Sequence, residues 1–269
     1  MSAPPESGAV AEPEVVAELR GSAWWIRLNR PRVLNALNAA AFSLLADAIA
    51  QAEADDRVRA IVIIGEGGRA FSSGGDLSAR NDDSTAGRDH TEGLSKAAFG
   101  AVRHCRKPTI AAVDGHCMGA GFEIAALCDI RIATEQSRFV LPEVRRCLMP
   151  DPGLIDLPRL LPRGELLLML LAGRPLPARR AHEIGLVQEL LPDRSALIAA
   201  AEALAADIAL GAPRAAEDYK HIVRETEADL TRRAEELRNP LWDVIRTSQD
   251  GEEAARAWSE KRPPRWQGR

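Results

Sequence analysis

Cysteine and histidine are scarce in this sequence and show no metal-binding pattern. Only four cysteines and five histidines occur among 269 residues. No two cysteines have Cys-x-x-Cys spacing, and no two histidines have His-x-x-x-His spacing. Zinc sites and redox-active cysteine pairs depend on such spacings. The sequence therefore predicts no metal site, and its cysteines are expected to be reduced, buried side chains.

Long apolar runs and targeting segments are also missing. The longest apolar run, Leu166–Ala172, has seven residues, whereas a membrane-spanning helix needs about 20. The first residues, MSAPPESGAVAEPE, contain neither an apolar stretch nor a basic residue. This composition argues against a secretory signal and against a mitochondrial transit peptide. We therefore expect a disordered tail at residues 1–14, no membrane association and a cytoplasmic protein.

An excess of positive charge is absent as well. The chain has 35 Lys and Arg residues against 39 Asp and Glu residues, a net charge of −4. Nucleic-acid-binding proteins are usually basic, so we expect no nucleic-acid partner. Hydrophobic residues make up 46% and charged residues 28% of the chain, which is typical of a folded globular protein. The length is sufficient for one large domain with a sizeable core.

The distribution of apolar residues predicts an α/β region followed by a helical region. Two strand-like runs at 15–19 and 23–28 flank Gly21-Ser22, which predicts a hairpin. Apolar periodicity predicts helices at 39–54, 120–127 and 196–209, and β-branched or apolar runs predict strands at 60–64, 109–113, 129–133 and 138–141. The polar stretch 79–95 predicts a mobile loop. We therefore expect a core over residues 15–194 and a helical C-terminal region over 195–269.

Two glycine-rich turns follow predicted strands and indicate a binding site. Their sequences are FSSGGDL at 71–77 and GHCMGAGFE at 115–123. Small residues let backbone N–H groups approach a ligand, and the second turn opens a helix whose N-terminus favours an oxyanion. Glu123 lies three residues after Ala120, on the same helical face as these N–H groups. A plain helix cap and a solvated glutamate are the alternatives for each feature taken alone.

Five segments of the sequence together resemble the crotonase (enoyl-CoA hydratase/isomerase) superfamily. They are LNRPRVLNALN, AFSSGGDL, AAVDGHCMGAGFEIAALCDIRIA, RFVLPEVRRCLMPDPG and AWSEKRPPRW, and they lie in the family's order over residues 15–266. The resemblance implies a spiral of ββα turns with a helical C-terminal trimerisation region. It also implies an acyl-CoA substrate, a homotrimer or homohexamer, and no cofactor apart from the coenzyme A of the substrate.

The resemblance implies roles for four residues of the site. By position, the N–H groups of Gly75 and Ala120 form the oxyanion hole for the thioester oxygen, and each donor contributes about 3 kcal/mol in such sites. The family more often has glycine at position 120, but alanine keeps the N–H group. Glu123 and Glu143 match the two glutamates of hydratase-type members. There they hold one water over the 2,3-bond of an enoyl-CoA, one removing a proton and the other supplying one.

The sequence departs from many hydratases after the second glutamate. Where Pro-Gly-Ala-Gly-Gly is frequent, this chain has Pro150-Asp151-Pro152-Gly153-Leu154. Asp151 aligns with a glycine whose N–H group helps to hold the water, and it adds a third carboxyl group near the expected pocket. This pattern, with LPRLLP and the ending EKRPPRWQGR, is closer to carnitinyl-CoA dehydratase-like members.

The resemblance also implies contacts to coenzyme A. The residues at the matching positions are Arg32, Val33, Ala36, Ser73, Asp76, Leu77, Trp258 and Lys261. The alternative for Lys261 is a solvated charge, and for Trp258 a helix-packing aromatic residue.

Other activities on the same scaffold are the main competing hypotheses. They are Δ3,Δ2-enoyl-CoA isomerisation, acyl-CoA hydrolysis and decarboxylation, and a non-catalytic acyl-CoA-binding protein is a further one. Isomerases of the family commonly lack one of the two glutamates, whereas this chain has both. Trimer formation is expected because apolar helix positions such as Leu197, Ala201, Leu204 and Ile208 exceed what one domain is expected to cover.

Overall fold

The structure of the protein is a computed structural model that describes residues 12–76 and 85–268. The predicted tail falls mainly on residues 1–11, and these lie outside the described residues. Leu77 and positions 79–84 of the predicted mobile loop also lie outside them. All the statements below refer to the described residues.

A six-stranded sheet forms the centre of the fold. Its strand order is β1-β2-β3-β5-β7-β10, with β1 and β2 antiparallel and the other pairs parallel. The strands are β1 Val15–Arg20, β2 Ala23–Leu28, β3 Ala60–Gly65, β5 Thr109–Val113, β7 Ile130–Thr134 and β10 Glu189–Leu191. Every residue of β3 is buried, because helices cover both faces of a parallel sheet. Ile61 and Ile63 face one core cluster, and Val62 and Ile64 face the other.

A second sheet of four short strands lies beside the first. It consists of β4 Ala70–Ser72, β6 His116–Met118, β8 Arg138–Val140 and β9 Leu176–Pro177, in that order. Strands β4, β6 and β8 are parallel. The chain therefore passes repeatedly from the first sheet to the second and then into a helix. This repetition is the spiral of ββα turns expected above, and the predicted α/β fold class is confirmed.

Nine helices complete the described part of the chain. They are α1 Ala39–Ala54, α2 Thr85–His104, α3 Ala120–Leu127, α4 Asp151–Leu160, α5 Arg163–Ala172, α6 Ala178–Glu183, α7 Arg194–Leu210, α8 Pro213–Arg246 and α9 Gln249–Ser259. Two short 3-10 turns, Pro31–Val33 and Glu143–Arg146, lie beside the site described below. Asn38 caps α1 by accepting a hydrogen bond from the Ala41 amide.

The prediction of a mobile loop over 79–95 is wrong for residues 85–95. These residues belong to α2, which packs along α1 with Phe99 and Phe42 in edge-to-face contact at 5.8 Å between ring centres. The first half of α2 is polar, so its composition resembles that of a loop. Burial of Ala98, Phe99 and Val102 in the second half stabilises the whole helix.

The C-terminal region is helical, as expected, but its first helix does not present a free apolar face. Leu197 and Ala201 are fully buried against the sheet, and Leu204 and Ile208 pack at the edge of the same cluster. Leu197 and Ala201 are therefore covered within the chain and offer no surface for a trimer contact, whereas Leu204 and Ile208 are partly buried. Trimer formation stays a prediction. Among the described residues, no single helix is long and apolar enough to cross a membrane. Only α7 and α8 together, bent by 104°, reach the required length and composition.

Candidate active site

The turn after β4 is built so closely that only glycine fits at position 74. Gly74 has φ +91°, and a Cβ atom there would lie 2.9 Å from the Met118 carbonyl oxygen. Ser72 fixes the turn, because its Oγ accepts from the Gly74 amide at 3.1 Å and donates to the Asn35 carbonyl at 2.8 Å. The amide of the next residue, Gly75, donates no hydrogen bond to any other described residue.

The turn after β6 places a helix N-terminus against the first turn. The Glu123 amide donates to the Gly119 carbonyl at 2.9 Å, which is the first hydrogen bond of α3. The preceding amides, beginning with that of Ala120, have no partner inside the helix. A Cβ atom on Gly121 would lie 2.5 Å from the Ser72 Cβ, so the two turns touch. The structure thus brings Gly75 and Ala120 together, and neither amide donates to another described residue.

Glu123 is a buried carboxyl group at the start of α3. Only 4% of its surface is exposed, and its Oε1 accepts a hydrogen bond from the Gly153 amide at 3.0 Å. Burial, followed by the charge of Glu143, raises the pKa of Glu123 to about 8 despite that hydrogen bond.

Glu143, the second carboxyl group, faces Gly119 at the start of α3. It is the first residue of the 3-10 turn after β8, and its Oε1 lies 2.8 Å from where a Cβ on Gly119 would be. Its Oε2 is buried without a hydrogen-bond partner among the described residues. Burial raises the pKa of Glu143 to about 7, with partial compensation from Arg146.

The two carboxyl groups form an electrostatically coupled pair. Burial raises the pKa of both groups above the ordinary value of a glutamate, and the charge of Glu143 raises the pKa of Glu123 further, which favours retention of a proton by the pair near neutral pH. One group is then able to accept a proton while the other donates one. Among the described residues, no cluster of three His, Cys, Asp or Glu side chains has metal-binding geometry.

The N-terminus of α4 differs from the arrangement expected for Asp151. The amide that reaches Glu123 is that of Gly153, and the Asp151 side chain forms an ion pair with Arg238 of α8. The pocket therefore gains no free third carboxylate from Asp151. Sequence reasoning placed the amide of this motif at Asp151 rather than at Gly153, and it missed Arg238, which belongs to no motif and is far away along the chain.

Five of the residues assigned to coenzyme A come together beside the turn after β4. The Leu37 amide donates to the Gly74 carbonyl at 2.8 Å, and the Asp76 amide donates to the Leu37 carbonyl at 2.8 Å. These bonds join the segment 30–37 to the turn 72–76. The segments contain Arg32, Val33, Ala36, Ser73 and Asp76.

Within these segments, Asp76 has a structural partner. Its Oδ2 lies 2.8 Å from Arg30 Nη1, and both side chains are largely buried. Asn35 was missed by sequence reasoning although it connects the same region. It is buried with φ +55°, and its Nδ2 donates to the Glu66 and Ala70 carbonyls at 2.9 and 2.8 Å. The available signal in the sequence was the residue type, because asparagine tolerates the left-handed conformation that this position adopts.

Trp258 and Lys261 lie elsewhere. The Trp258 ring is half exposed on α9, with the Arg146 guanidinium 5.1 Å from its centre. This contact places Trp258 beside the turn that carries Glu143. Lys261 is exposed in the following turn with φ +51°.

Comparison with known proteins gives consistent matches over nearly the whole chain. A family model described as enoyl-CoA hydratase/isomerase matches residues 18–269. The chain is 32% identical over 266 residues to enoyl-CoA hydratase EchA19 of Mycobacterium tuberculosis, covering 96% of this chain and 97% of that protein. It is also 32% identical over 249 residues to carnitinyl-CoA dehydratase of Salmonella typhi, covering 91% and 94%.

Solved structures of similar proteins also match nearly the whole chain. Carnitinyl-CoA hydratase from Mycobacterium avium has a TM-score of 0.84 and 34% identity, covering 96% of this chain and 100% of that chain. A carnitinyl-CoA dehydratase from Mycobacterium avium 104 has a TM-score of 0.82 and 37% identity, again covering 96% and 100%.

Proposed function

The chain belongs to the enoyl-CoA hydratase/isomerase family, and on this basis we propose that it is a hydratase that adds water reversibly to a 2-enoyl-CoA. The observation that carries the proposal is the pair of Glu123, which is buried, and Glu143, which is partly exposed but has its Oε2 buried, beside the free amides of two turns. Isomerases need only one such group to move a proton between carbons. Two groups that share about one proton fit the addition of water, which requires a base and an acid together.

In the proposed reaction, the thioester oxygen accepts hydrogen bonds from the Gly75 and Ala120 amides. Negative charge develops on that oxygen when hydroxide adds at C3, and fixed donors stabilise it. One glutamate takes the proton of the water and the other supplies a proton to C2. The net change is H–OH across the C2=C3 bond, and dehydration follows the same path in reverse.

The Gly153 amide supports a positioning role for Glu123. A carboxylate that accepts this hydrogen bond at 3.0 Å has one oxygen fixed and the other available for water. The mechanism uses no cofactor apart from the coenzyme A portion of the substrate. Coenzyme A is proposed to lie along segments 30–37 and 72–76, with Leu77, Trp258 and Lys261 as further contacts.

A carnitinyl-CoA-type dehydration is the second candidate. Relatives and structural neighbours with that name match over more than nine-tenths of the chain. The chemistry is the same as above in the reverse direction, so the candidates differ in the acyl group.

A panel of thioesters tests both candidates. Purified protein is incubated in ¹⁸O water with crotonyl-CoA, longer and branched 2-enoyl-CoA thioesters, a 3-enoyl-CoA and carnitinyl-CoA, and the products are identified by mass spectrometry. Incorporation of one labelled oxygen at C3 is expected with at least one enoyl-CoA. Conversion of a 3-enoyl-CoA without oxygen incorporation would instead indicate isomerisation, and release of free coenzyme A would indicate hydrolysis.

The same protein is proposed to form a homotrimer or homohexamer. Apolar side chains that are more than half exposed lie along α8, which supports association through this helix. They are Tyr219, Ile222, Val223, Leu230, Leu237, Leu241 and Val244.

A further inference from the structure

Helix α4, which provides the amide that binds Glu123, is attached to α8 at both of its ends. At its N-terminus, Asp151 forms an ion pair with Arg238. At its C-terminal end, Arg159 Nη1 donates to the Thr231 Oγ1 at 2.8 Å, and Arg159 Nε lies 3.1 Å from a Glu227 carboxylate oxygen. The position of α4 is therefore determined by α8, although the two helices are more than 50 residues apart in the sequence.

The middle of α4 is attached as well. Asp156 is buried and forms ion pairs with Arg103 of α2 and with Arg159 on its own helix. Arg103 in turn lies 3.6 Å from a Glu235 carboxylate oxygen on α8. Asp156 thus has two arginine counter-ions close by, and Arg238 is the cation of α8 that acts on Glu123.

The contact between α4 and Glu123 has little space for adjustment. A Cβ atom on Gly153 would lie 3.2 Å from Glu123 Oε1 and 3.1 Å from Pro150 Cβ. A small rotation of the first turn of α4 would therefore lengthen the Gly153–Glu123 hydrogen bond or press Pro150 against the carboxylate. Asp151 lies two residues before Gly153 in that turn, so its partner controls the direction of the amide.

Arg238 also acts on Glu123 through charge. Its side chain is only 14% exposed and its Nε has no hydrogen-bond partner among the described residues. The groups that influence the ionisation of Glu123 are Glu143 from the 3-10 turn, Asp156 from α4 and Arg238 from α8. The two carboxylates favour the protonated form of Glu123, whereas Arg238 favours the ionised form.

We propose that Arg238 is a positioning residue for Glu123, acting through its ion pair with Asp151 and the first turn of α4. The inference deepens the proposed function, because it rests on Glu123 being one of the two catalytic carboxyl groups. Asp151 replaces a glycine of many hydratases. The inference gives this residue a partner on α8. Helix α8 thereby becomes part of what holds the catalytic geometry.

The first test compares three substitutions of arginines on α8. Arg238→Gln removes the charge, and Arg238→Lys keeps it. Arg232→Gln removes an exposed arginine whose described ion pairs are with Asp229 and Glu236. We expect Arg238→Gln to reduce kcat about 10- to 100-fold, since small misplacements of catalytic groups have effects of this size. KM for the thioester should change little. Arg238→Lys should recover part of the loss, and Arg232→Gln should have wild-type kcat.

The second test measures the ionisation of Glu123 directly. Carboxyl carbons are labelled with ¹³C-glutamate, the Glu123 resonance is assigned with Glu123→Gln, and its titration is followed by NMR. Arg238→Gln should raise the pKa of Glu123, because it removes the cation and leaves Asp151 uncompensated. Asp151→Asn should lower it, because Arg238 then acts without its counter-ion. A purely structural defect does not predict shifts of opposite sign.

A double-mutant cycle completes the test. If the two residues act as one unit, Arg238→Gln combined with Asp151→Asn should reduce kcat by no more than the larger single effect. Multiplicative losses, wild-type kcat in Arg238→Gln, or an unchanged Glu123 titration in both single variants would overturn the inference. If Arg238→Gln does not fold, Asp151→Asn decides alone, and wild-type kcat together with an unchanged Glu123 titration in that variant would overturn the inference.

The proposed hydratase function and the proposed role of Arg238 can fail separately. If the wild-type protein hydrates no thioester in the panel, the proposed function fails. The NMR titration still reports whether Arg238 and Asp151 control Glu123, because it needs no substrate.

Discussion

Glu143 Oε1 lies 2.8 Å from the point that a Cβ atom on Gly119 would occupy. Gly119 also has φ +49°, a conformation that residues with a side chain rarely adopt. The residue that directs the chain into α3 is therefore the residue against which the second carboxyl group packs. A change at Gly119 acts on the oxyanion hole and on Glu143 at the same time.

Gly119→Ala should therefore reduce both stability and activity. The unfavourable backbone conformation should cost about 1–3 kcal/mol, and displacement of Glu143 should reduce kcat at least about 10-fold. Thermal unfolding and steady-state kinetics measure the two effects. Gly100→Ala is the matched control, because Gly100 lies within α2 with no atom within 4 Å of its added Cβ, and alanine favours helix there. Equal behaviour of the two variants would contradict the prediction.

Replacing either glutamate of the pair should nearly abolish hydration. Glu123→Gln and Glu143→Gln should each reduce kcat at least about 100-fold, while thioester affinity should change little because backbone amides bind the thioester. The double variant should lose far less than the product of the single effects, since the pair acts as a unit.

The control for these variants is Glu135→Gln, an exposed glutamate whose only described ion pair is with Arg179. It should have wild-type kinetics. Full hydration activity in either Glu123→Gln or Glu143→Gln would refute the two-glutamate mechanism. If only one of the two substitutions mattered and 3-enoyl-CoA were converted, the isomerase hypothesis would be favoured instead.

Local sequence patterns predicted several strands and helices of the fold, whereas the spiral of ββα turns was implied by the family resemblance. The run Ala60–Ile64 is continuous and β-branched, and it is indeed a fully buried strand. Helix α2 was missed because its N-terminal half carries no apolar face, and its stability comes from contacts of Phe99 with α1. Tertiary packing therefore decided this element where local composition indicated a loop.

The sequence likewise predicted only part of the site. Gly75, Ala120 and Glu123 belong to two short motifs, and the structure places them together. The hydrogen bond from the Gly153 amide to Glu123 and the ion pair of Arg238 with Asp151 depend on the packing of α4 and α8, which no local pattern encodes. Asp151 illustrates the limit: its presence was evident from the sequence, but its ion pair with a residue of α8 was not.

Association through α8 should be visible in the mass of the protein in solution. Sedimentation equilibrium at micromolar concentration is expected to give three or six protomer masses. The double substitution Leu230→Glu and Leu237→Glu places two charges on the exposed apolar side of α8 and should shift the mass toward one protomer. Leu210→Glu, at an exposed leucine at the end of α7, is the control and should leave the assembly intact. A wild-type mass of one protomer would refute association.

Activity should depend on pH through the glutamate pair. The pKa values of Glu123 and Glu143 are about 8 and about 7, so kcat/KM should be highest between these pH values and fall on both sides. The apparent values belong to the pair rather than to either residue. Loss of the bell shape in Glu143→Gln, measured over pH 5.5–9.5, would be the expected consequence of leaving a single titrating group.

The same pKa shifts predict how stability changes with pH. In the unfolded chain, a glutamate has a pKa of about 4.5, whereas folding raises the pKa of Glu123 to about 8. Below pH 4.5 the group is protonated in both states, and its contribution to stability is fully present. As pH rises toward 8, the unfolded state ionises first, so the folded state loses stability relative to it.

Glu123→Gln removes this loss, because the amide stays neutral and its oxygen still accepts the Gly153 hydrogen bond. The variant should therefore unfold at a higher temperature than the wild type at pH 8.5, and the difference should shrink toward pH 5. One pKa unit corresponds to about 1.4 kcal/mol, so the difference at pH 8.5 should be readily measurable. Glu135→Gln should show no such trend, since Glu135 is exposed. If the difference in unfolding temperature between Glu123→Gln and the wild type does not grow with pH, folding does not raise the pKa of Glu123.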